Sequence, residues 1–171
     1  TGNPDDTIRM RLVGHTTDPA SVSVDGSPAT AVVSEARVGL SRATLLPCMG
    51  GREQTVFEGS ASTSLLGQPA SGAIVLPAGA FCGLVLQLAP TELLPTEPDD
   101  SAQFGSIYVA GSREDGVPFS IRSEVSHVIQ PANDQRVAEL PPGTDWLVAL
   151  DLAVWLAEVP VSSLDGQAGS I

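Results

Sequence analysis

The sequence contains no lysine and few aromatic residues, and these shortages argue against several classes of protein. All 8 basic residues are arginines, and they stand against 20 acidic residues, which gives a net charge of −12. Binding to nucleic acid or to an anionic membrane needs a basic face, so this balance argues against both. Aromatic residues make up only 4% of the 171 residues. Glycan binding on a β-sandwich relies on exposed aromatic rings, and Tyr108 and Trp155 are the candidates for it.

Long apolar segments and hydrolase motifs are also absent. The longest apolar candidate, Trp146–Leu156, is shorter than the about 18–20 residues of a membrane span and contains Asp151. The sequence has no G-x-S-x-G motif, and its two histidines, His15 and His127, lie in unrelated contexts. A Ser-His-Asp triad is therefore not expected. These observations predict a protein without a transmembrane segment, without a cofactor and without enzymatic activity.

Four aspartates form two adjacent pairs, Asp5-Asp6 and Asp99-Asp100, and each pair follows a proline. The ordinary interpretation is a turn that enters a strand. The alternative is a Ca²⁺-binding loop, because hard cations prefer clustered carboxylate and carbonyl oxygens. No EF-hand spacing accompanies the pairs, so calcium stays an alternative and no other metal ligands are predicted.

The chain has two cysteines, Cys48 and Cys82. In a cytosolic protein they would be buried thiols, whereas in an exported protein they would form a disulfide. Neither a C-x-x-C motif nor a nearby histidine completes a metal site. We predict the disulfide, which would contribute about 3–4 kcal/mol to stability by limiting the entropy of the unfolded chain.

Apolar residues alternate with polar ones along several segments. Ile8, Met10 and Leu12 are separated by arginines, and a similar alternation runs from Val117 to Val125. A period of two is typical of strands with one buried face. The 17 glycines and 14 prolines leave little room for helices of ordinary length. The pattern predicts an all-β protein.

An internal repeat organises these strands. Gln68–Ser71 leads into Leu76–Gly79, and Gln130–Asn133 leads into Leu140–Gly143. Landmarks that recur in the same order indicate two copies of one structural unit. After each Leu-Pro-x-Gly turn comes an apolar segment, and alignment of the two segments predicts that Trp146–Leu156 is a strand.

The repeat predicts one domain over residues 1–171. The first copy covers about 37–94 and the second about 102–157, while residues 7–34 supply N-terminal strands. Four strands in each copy, with one to three before them, give about nine to eleven strands. That number suits an antiparallel β-sandwich of two sheets.

Three segments resemble a known family. Arg37-Val38-Gly39-Leu40-Ser41-Arg42 resembles the opening strand of exported bacterial lipoprotein domains of unknown function, the DUF4382-like β-sandwiches. Leu76-Pro77-Ala78-Gly79-Ala80-Phe81 resembles their Leu-Pro-Ala-Gly-x-Tyr turn, with phenylalanine in place of tyrosine. Leu150-Asp151-Leu152 resembles their late apolar strand, with fewer acidic residues. The resemblance implies a sandwich fold and a location in the cell envelope, and it carries no catalytic residues.

Together these features predict a non-enzymatic, extracytoplasmic β-sandwich that serves as a cell-envelope or extracellular structural and protein-interaction subunit. We expect protein partners or self-association. The sequence is also compatible with a lipid anchor attached to a residue upstream of this chain. The alternative is a ligand-binding module for Ca²⁺ or a glycan. In that alternative, the aspartate pairs or the exposed aromatic rings would carry the ligand.

Overall fold

The computed structural model describes residues 7–14, 22–25, 30–48, 51–66, 74–77, 79–93, 103–130, 137–140, 143, 145–156 and 169–170. These residues form an all-β sandwich, as predicted, with 14 strands and one short helix. The number of strands exceeds the predicted nine to eleven because several consist of only two to four residues. The strands are β1 (Thr7–Gly14), β2 (Val22–Asp25), β3 (Thr30–Pro47), β4 (Gln54–Ser64), β5 (Ile74–Pro77), β6 (Gly79–Leu88), β7 (Thr91–Leu93), β8 (Gln103–Gly105), β9 (Ile107–Arg113), β10 (Pro118–Ser123), β11 (His127–Ile129), β12 (Val137–Leu140), β13 (Asp145–Leu150) and β14 (Gly169–Ser170), and the helix is α1 (Leu152–Leu156).

The strands form two main sheets. The smaller sheet has three strands in the order β13-β1-β5. The larger sheet has nine strands. Six of them follow the order β11-β6-β3-β9-β10-β14, while β2 and β4 also pair with β3 and β12 also pairs with β6. Strands β7 and β8 form a separate pair. Most pairings are antiparallel, but β1 with β13 and β10 with β14 are parallel. The predicted antiparallel sandwich is therefore confirmed. The two parallel pairings join distant segments, and turn signals between neighbouring strands carry no information about such pairings.

Strand β3 is the central strand of the larger sheet and pairs with four other strands. One edge of its 18 residues pairs first with β2 and then with β4, and the other edge pairs first with β9 and then with β6. On the second edge the change of partner falls at Gly39. Its N–H donates to the Ser106 carbonyl at 2.9 Å, and its own carbonyl accepts from the Ala89 N–H at 3.0 Å. A glycine is needed here because a Cβ would lie 2.6 Å from the Ala89 carbonyl oxygen.

The core lies between the two sheets, and the alternation in β1 places three of its members. Ile8, Met10 and Leu12 are buried, as the sequence predicts. The alternation from Val117 to Val125 holds only in its middle. There the structure buries Phe119 but leaves Val125 57% exposed, because β10 ends at Ser123.

The prediction of one strand over Trp146–Leu156 is wrong. The strand ends at Leu150, and α1 follows after Asp151. The Asp151 carboxylate accepts hydrogen bonds from the N–H groups of Ala153 at 2.9 Å and Val154 at 3.4 Å. An aspartate that satisfies the first free N–H groups is a helix N-cap, so this residue starts a helix where the repeat suggested a continuing strand.

The predicted disulfide is present and joins two adjacent strands. Cys48 follows β3 and Cys82 lies in β6, with their Cα atoms 4.6 Å apart. The ladder brings the two cysteines together, because Pro47 pairs with Phe81 immediately beside them. The apolar strands that the repeat aligns, β6 and β13, lie in different sheets, and the two similar halves stay a prediction.

Candidate functional site

The outward side of the three-stranded sheet carries exposed apolar residues between arginines. Here the outer face means Arg9, Arg11 and Val13 of β1, Asp145, Leu147 and Ala149 of β13, and Val75 of β5. Val75 is 58% exposed and Leu147 is 57% exposed. The register places Arg9 between Val75 and Asp145, and Arg11 beside Leu147. Apolar side chains and guanidinium groups therefore alternate across the face.

The charge of the outer face is opposite to that of the whole chain. It contains two arginines and one acid, Asp145, whose carboxylate lies 3.9 Å from the Arg11 guanidinium. Arg9 forms no ion pair with the rest of the described residues. Elsewhere in the described residues, ion pairs join Arg37 with Glu35, Arg42 with Glu58, Arg113 with Asp115, and Arg122 with Glu124.

The three-stranded sheet also has two open edges. Within the described part of the chain, β5 and β13 each pair only with β1. An edge strand presents backbone N–H and C=O groups that a further strand can pair with. Among the described residues, the three-stranded sheet thus combines exposed apolar side chains and arginines on its outer face with unpaired backbone at its two edges.

A serine and a histidine meet at the bend between β10 and β11. The Ser123 hydroxyl lies 2.7 Å from His127 Nε2. His127 is half-buried. The contact has the distance of a nucleophile and its general base. Ser123 is only 2% exposed, however, and this burial closes it to a substrate.

Ser106 forms hydrogen bonds to the backbone of the same bend. Its hydroxyl donates to the Ser123 carbonyl at 3.1 Å and lies 2.6 Å from the Val125 carbonyl. Ser106 is itself fully buried. We interpret Ser106, Ser123 and His127 as a polar network that fixes the bend. The spacing Ser-x-x-x-His was the available signal in the sequence, but it identifies such a contact only when the position of the bend is known.

The turn between β9 and β10 holds a carboxylate with a lowered pKa. The Arg113 guanidinium donates to Asp115 and holds the pKa of that exposed carboxyl below its ordinary value. The Val117 N–H, 3.2 Å from the same carboxylate, acts in the same direction. Gly116 completes the turn with a φ of 81°, which favours glycine.

The structure tests only some of the predicted site residues. Asp5, Asp6, Asp99 and Asp100 lie outside the described residues, as does His15. Among the residues that are described, no group of three or more acidic, histidine or cysteine side chains converges as a metal site would require. The calcium alternative therefore stays a prediction.

The two candidate aromatic residues lie in different elements. Tyr108 is half-buried in β9, and Trp155 is half-buried in α1, where it packs against the core. Neither ring is fully exposed, as a sugar platform would favour. Glycan binding also stays a prediction. No helix in the described residues is long and apolar enough to cross a membrane.

A cleft opens between β4 of the larger sheet and β5 of the smaller one. Its volume is about 410 Å³. Met10, Leu12 and Leu40 are buried at its base, and the exposed Val75 lies at its rim. The complete lining in the described residues is Met10, Leu12, Leu40, Val56, Phe57, Ala61, Ser62, Thr63, Ile74 and Val75.

The chain matches no protein-family model, no curated protein and no solved structure. The resemblance to the DUF4382-like sandwiches therefore stays a prediction. Two features of the structure are candidates for a functional site: the outer face and the cleft.

Proposed function

We propose that the protein is a non-enzymatic, extracytoplasmic structural and protein-interaction subunit that binds a second copy of itself through the outer face. The observation that supports this most is the combination of exposed Val75 and Leu147 with Arg9 and Arg11. Arginine is enriched at protein interfaces, and exposed apolar groups provide the area that excludes water.

The charge distribution favours a second copy as the partner. The chain as a whole has a net charge of −12, whereas arginine predominates on the outer face. The acidic surface elsewhere on another copy would therefore complement this face. Two chains of the same net charge also repel each other at long range. At physiological ionic strength the Debye length is about 8 Å, so this repulsion is screened while contacts across the interface persist.

The extracytoplasmic location is supported by the disulfide between Cys48 and Cys82. Disulfides persist in oxidising compartments and are rare in the cytosol of mesophiles. A structural subunit in the envelope would use this covalent link between β3 and β6 to resist unfolding outside the cell. Attachment through a lipid on an upstream residue is part of the same proposal.

Photo-crosslinking tests the contact surface. A photoreactive phenylalanine derivative replaces Leu147 on the outer face or, as a control, Val128 on β11. Val128 is 69% exposed and lies in the other sheet. We expect irradiation to give a product of twice the chain mass from the first variant only. Equal products from both variants, or none from either, would contradict the proposal.

A further inference from the structure

We infer that the cleft between β4 and β5 binds a neutral, largely hydrocarbon molecule that carries one hydrogen-bonding group. The site is separate from the self-association proposed above, although Val75 touches both features. Three properties of the cleft lead to this ligand class: its volume, the absence of charged residues in the described part of its lining, and the position of one hydroxyl group.

The volume sets the size of the ligand. An engineered apolar cavity of about 150 Å³ in another protein holds benzene. The cleft here, at about 410 Å³, has more than twice that volume. It therefore suits a molecule of two to three aromatic rings or a hydrocarbon chain of similar bulk, and it falls within the about 300–1,000 Å³ of ordinary ligand sites.

The lining sets the polarity of the ligand. None of the ten described residues around the cleft is charged, and eight of them are apolar. A charged group placed here would lose its hydration without gaining an ionic partner. An apolar molecule would instead gain free energy by leaving water. The occupant is therefore neutral where it contacts these residues.

Thr63 supplies the hydrogen-bonding group. It pairs with Val38 in the ladder between β3 and β4, as Ala61 pairs with Leu40. Residues paired in this way share one face of a sheet, and Val38 and Leu40 are buried on the side of the sandwich interior. The register thus directs Thr63 and Ala61 toward the cleft. Among the described residues, no hydrogen bond engages the Thr63 hydroxyl, so it is available to a ligand. The other hydroxyl of the lining, Ser62 Oγ, is buried and also lacks a partner among these residues, but Ser62 pairs with Gly39 and therefore faces the opposite side of the sheet.

A neutral fluorescent probe tests the site. N-phenyl-1-naphthylamine has three six-membered rings and one N–H group, and its emission rises in apolar surroundings. We expect saturable binding of one probe per chain. Ala61→Phe fills the cleft and should weaken binding at least tenfold. Ala153→Phe, at an exposed position of α1 outside the lining, is the matched control and should bind as the natural chain does.

A second pair of variants tests the hydroxyl and does not depend on the folding of Ala61→Phe. Thr63→Val removes the hydroxyl at constant shape and should weaken probe binding about two- to tenfold through the lost hydrogen bond. Thr55→Val makes the same change at an exposed position of β4 and should have no effect. The hydrocarbon 1-phenylnaphthalene has the same rings but no N–H group, so its own dissociation constant, obtained from competition with the probe, should be the same for both variants.

Two results would overturn the inference. The first is the absence of saturable fluorescence with the natural chain. The second is equal affinity in the natural chain, in folded Ala61→Phe and in Thr63→Val. Titrations run on dilute, monomeric protein separate this site from self-association, so that the failure of one proposal leaves the other intact.

Discussion

Replacing Gly39 by alanine tests the arrangement of strands around β3. In the structure, a Cβ at this position would lie 2.3 Å from Thr91 Cγ2, 2.6 Å from the Ala89 carbonyl oxygen and 3.0 Å from the Gly105 carbonyl oxygen. Thr91 is buried and its hydroxyl contacts that of Ser60, and the other two groups are backbone carbonyls, so none of the three moves freely. The backbone must therefore shift, and such overpacking costs about 1–3 kcal/mol.

For a chain of this length, a loss of about 1–3 kcal/mol in the free energy of unfolding corresponds to a melting temperature about 2–12 °C lower. Thermal unfolding followed by circular dichroism measures it. Gly59→Ala is the control, because its Cβ would meet only Phe57 Cζ at 3.7 Å, an ordinary contact. This control should be neutral or raise stability by up to about 1 kcal/mol. Equal melting temperatures for the two variants would refute the close approach of the strands at Gly39.

Three further predictions concern single contacts. Reduction of the bond between Cys48 and Cys82 should destabilise the protein by about 3–4 kcal/mol, as seen in melts with and without reductant; two free thiols in the intact mass of the unreduced protein would contradict the bond. The pKa of Asp115 is lowered in the folded state, so the ionised carboxylate stabilises the fold. This stabilisation is fully present above the pKa of the unfolded chain, about 3.9, and is lost as the pH falls toward the folded pKa. Asp115→Asn should therefore destabilise the protein more at pH 6 than at pH 2, and equal effects at both would contradict this. Ser123→Ala should lower stability by about 0.5–1.5 kcal/mol through its lost bond to His127, whereas p-nitrophenyl acetate hydrolysis should stay at background in both proteins; hydrolysis lost with Ser123 would indicate an enzyme.

Much of the fold follows from alternation in the sequence. The pattern of Ile8, Met10 and Leu12 predicted both the strand and its buried side, because side chains in a strand point alternately to the two faces. The apolar segment that follows the first Leu-Pro-x-Gly turn is also a strand, and it forms most of β6. Periodicity is a local signal, so it works where burial on one face decides the structure.

The remaining features depend on contacts between distant residues. Parallel pairing of β1 with β13 joins residues 136 positions apart, and no local pattern specifies it. Asp151 fits a strand or a helix N-cap equally well in isolation, and only the end of β13 selects the cap. The outer face and the cleft arise in the same way: Val75 and Arg9 become neighbours through the register of two strands.

Sedimentation velocity tests most directly whether the outer face joins two copies. With the natural chain, we predict a concentration-dependent shift from monomer to larger species at 150 mM salt, and a smaller shift at 10 mM, where the Debye length is about 30 Å and the net charges repel. Leu147→Asp places an acid opposite the acidic surface of the second copy and should stay monomeric, while Val128→Asp should associate like the natural chain. A natural chain that stays monomeric at every concentration, or Leu147→Asp that associates equally well, would contradict self-association through the outer face.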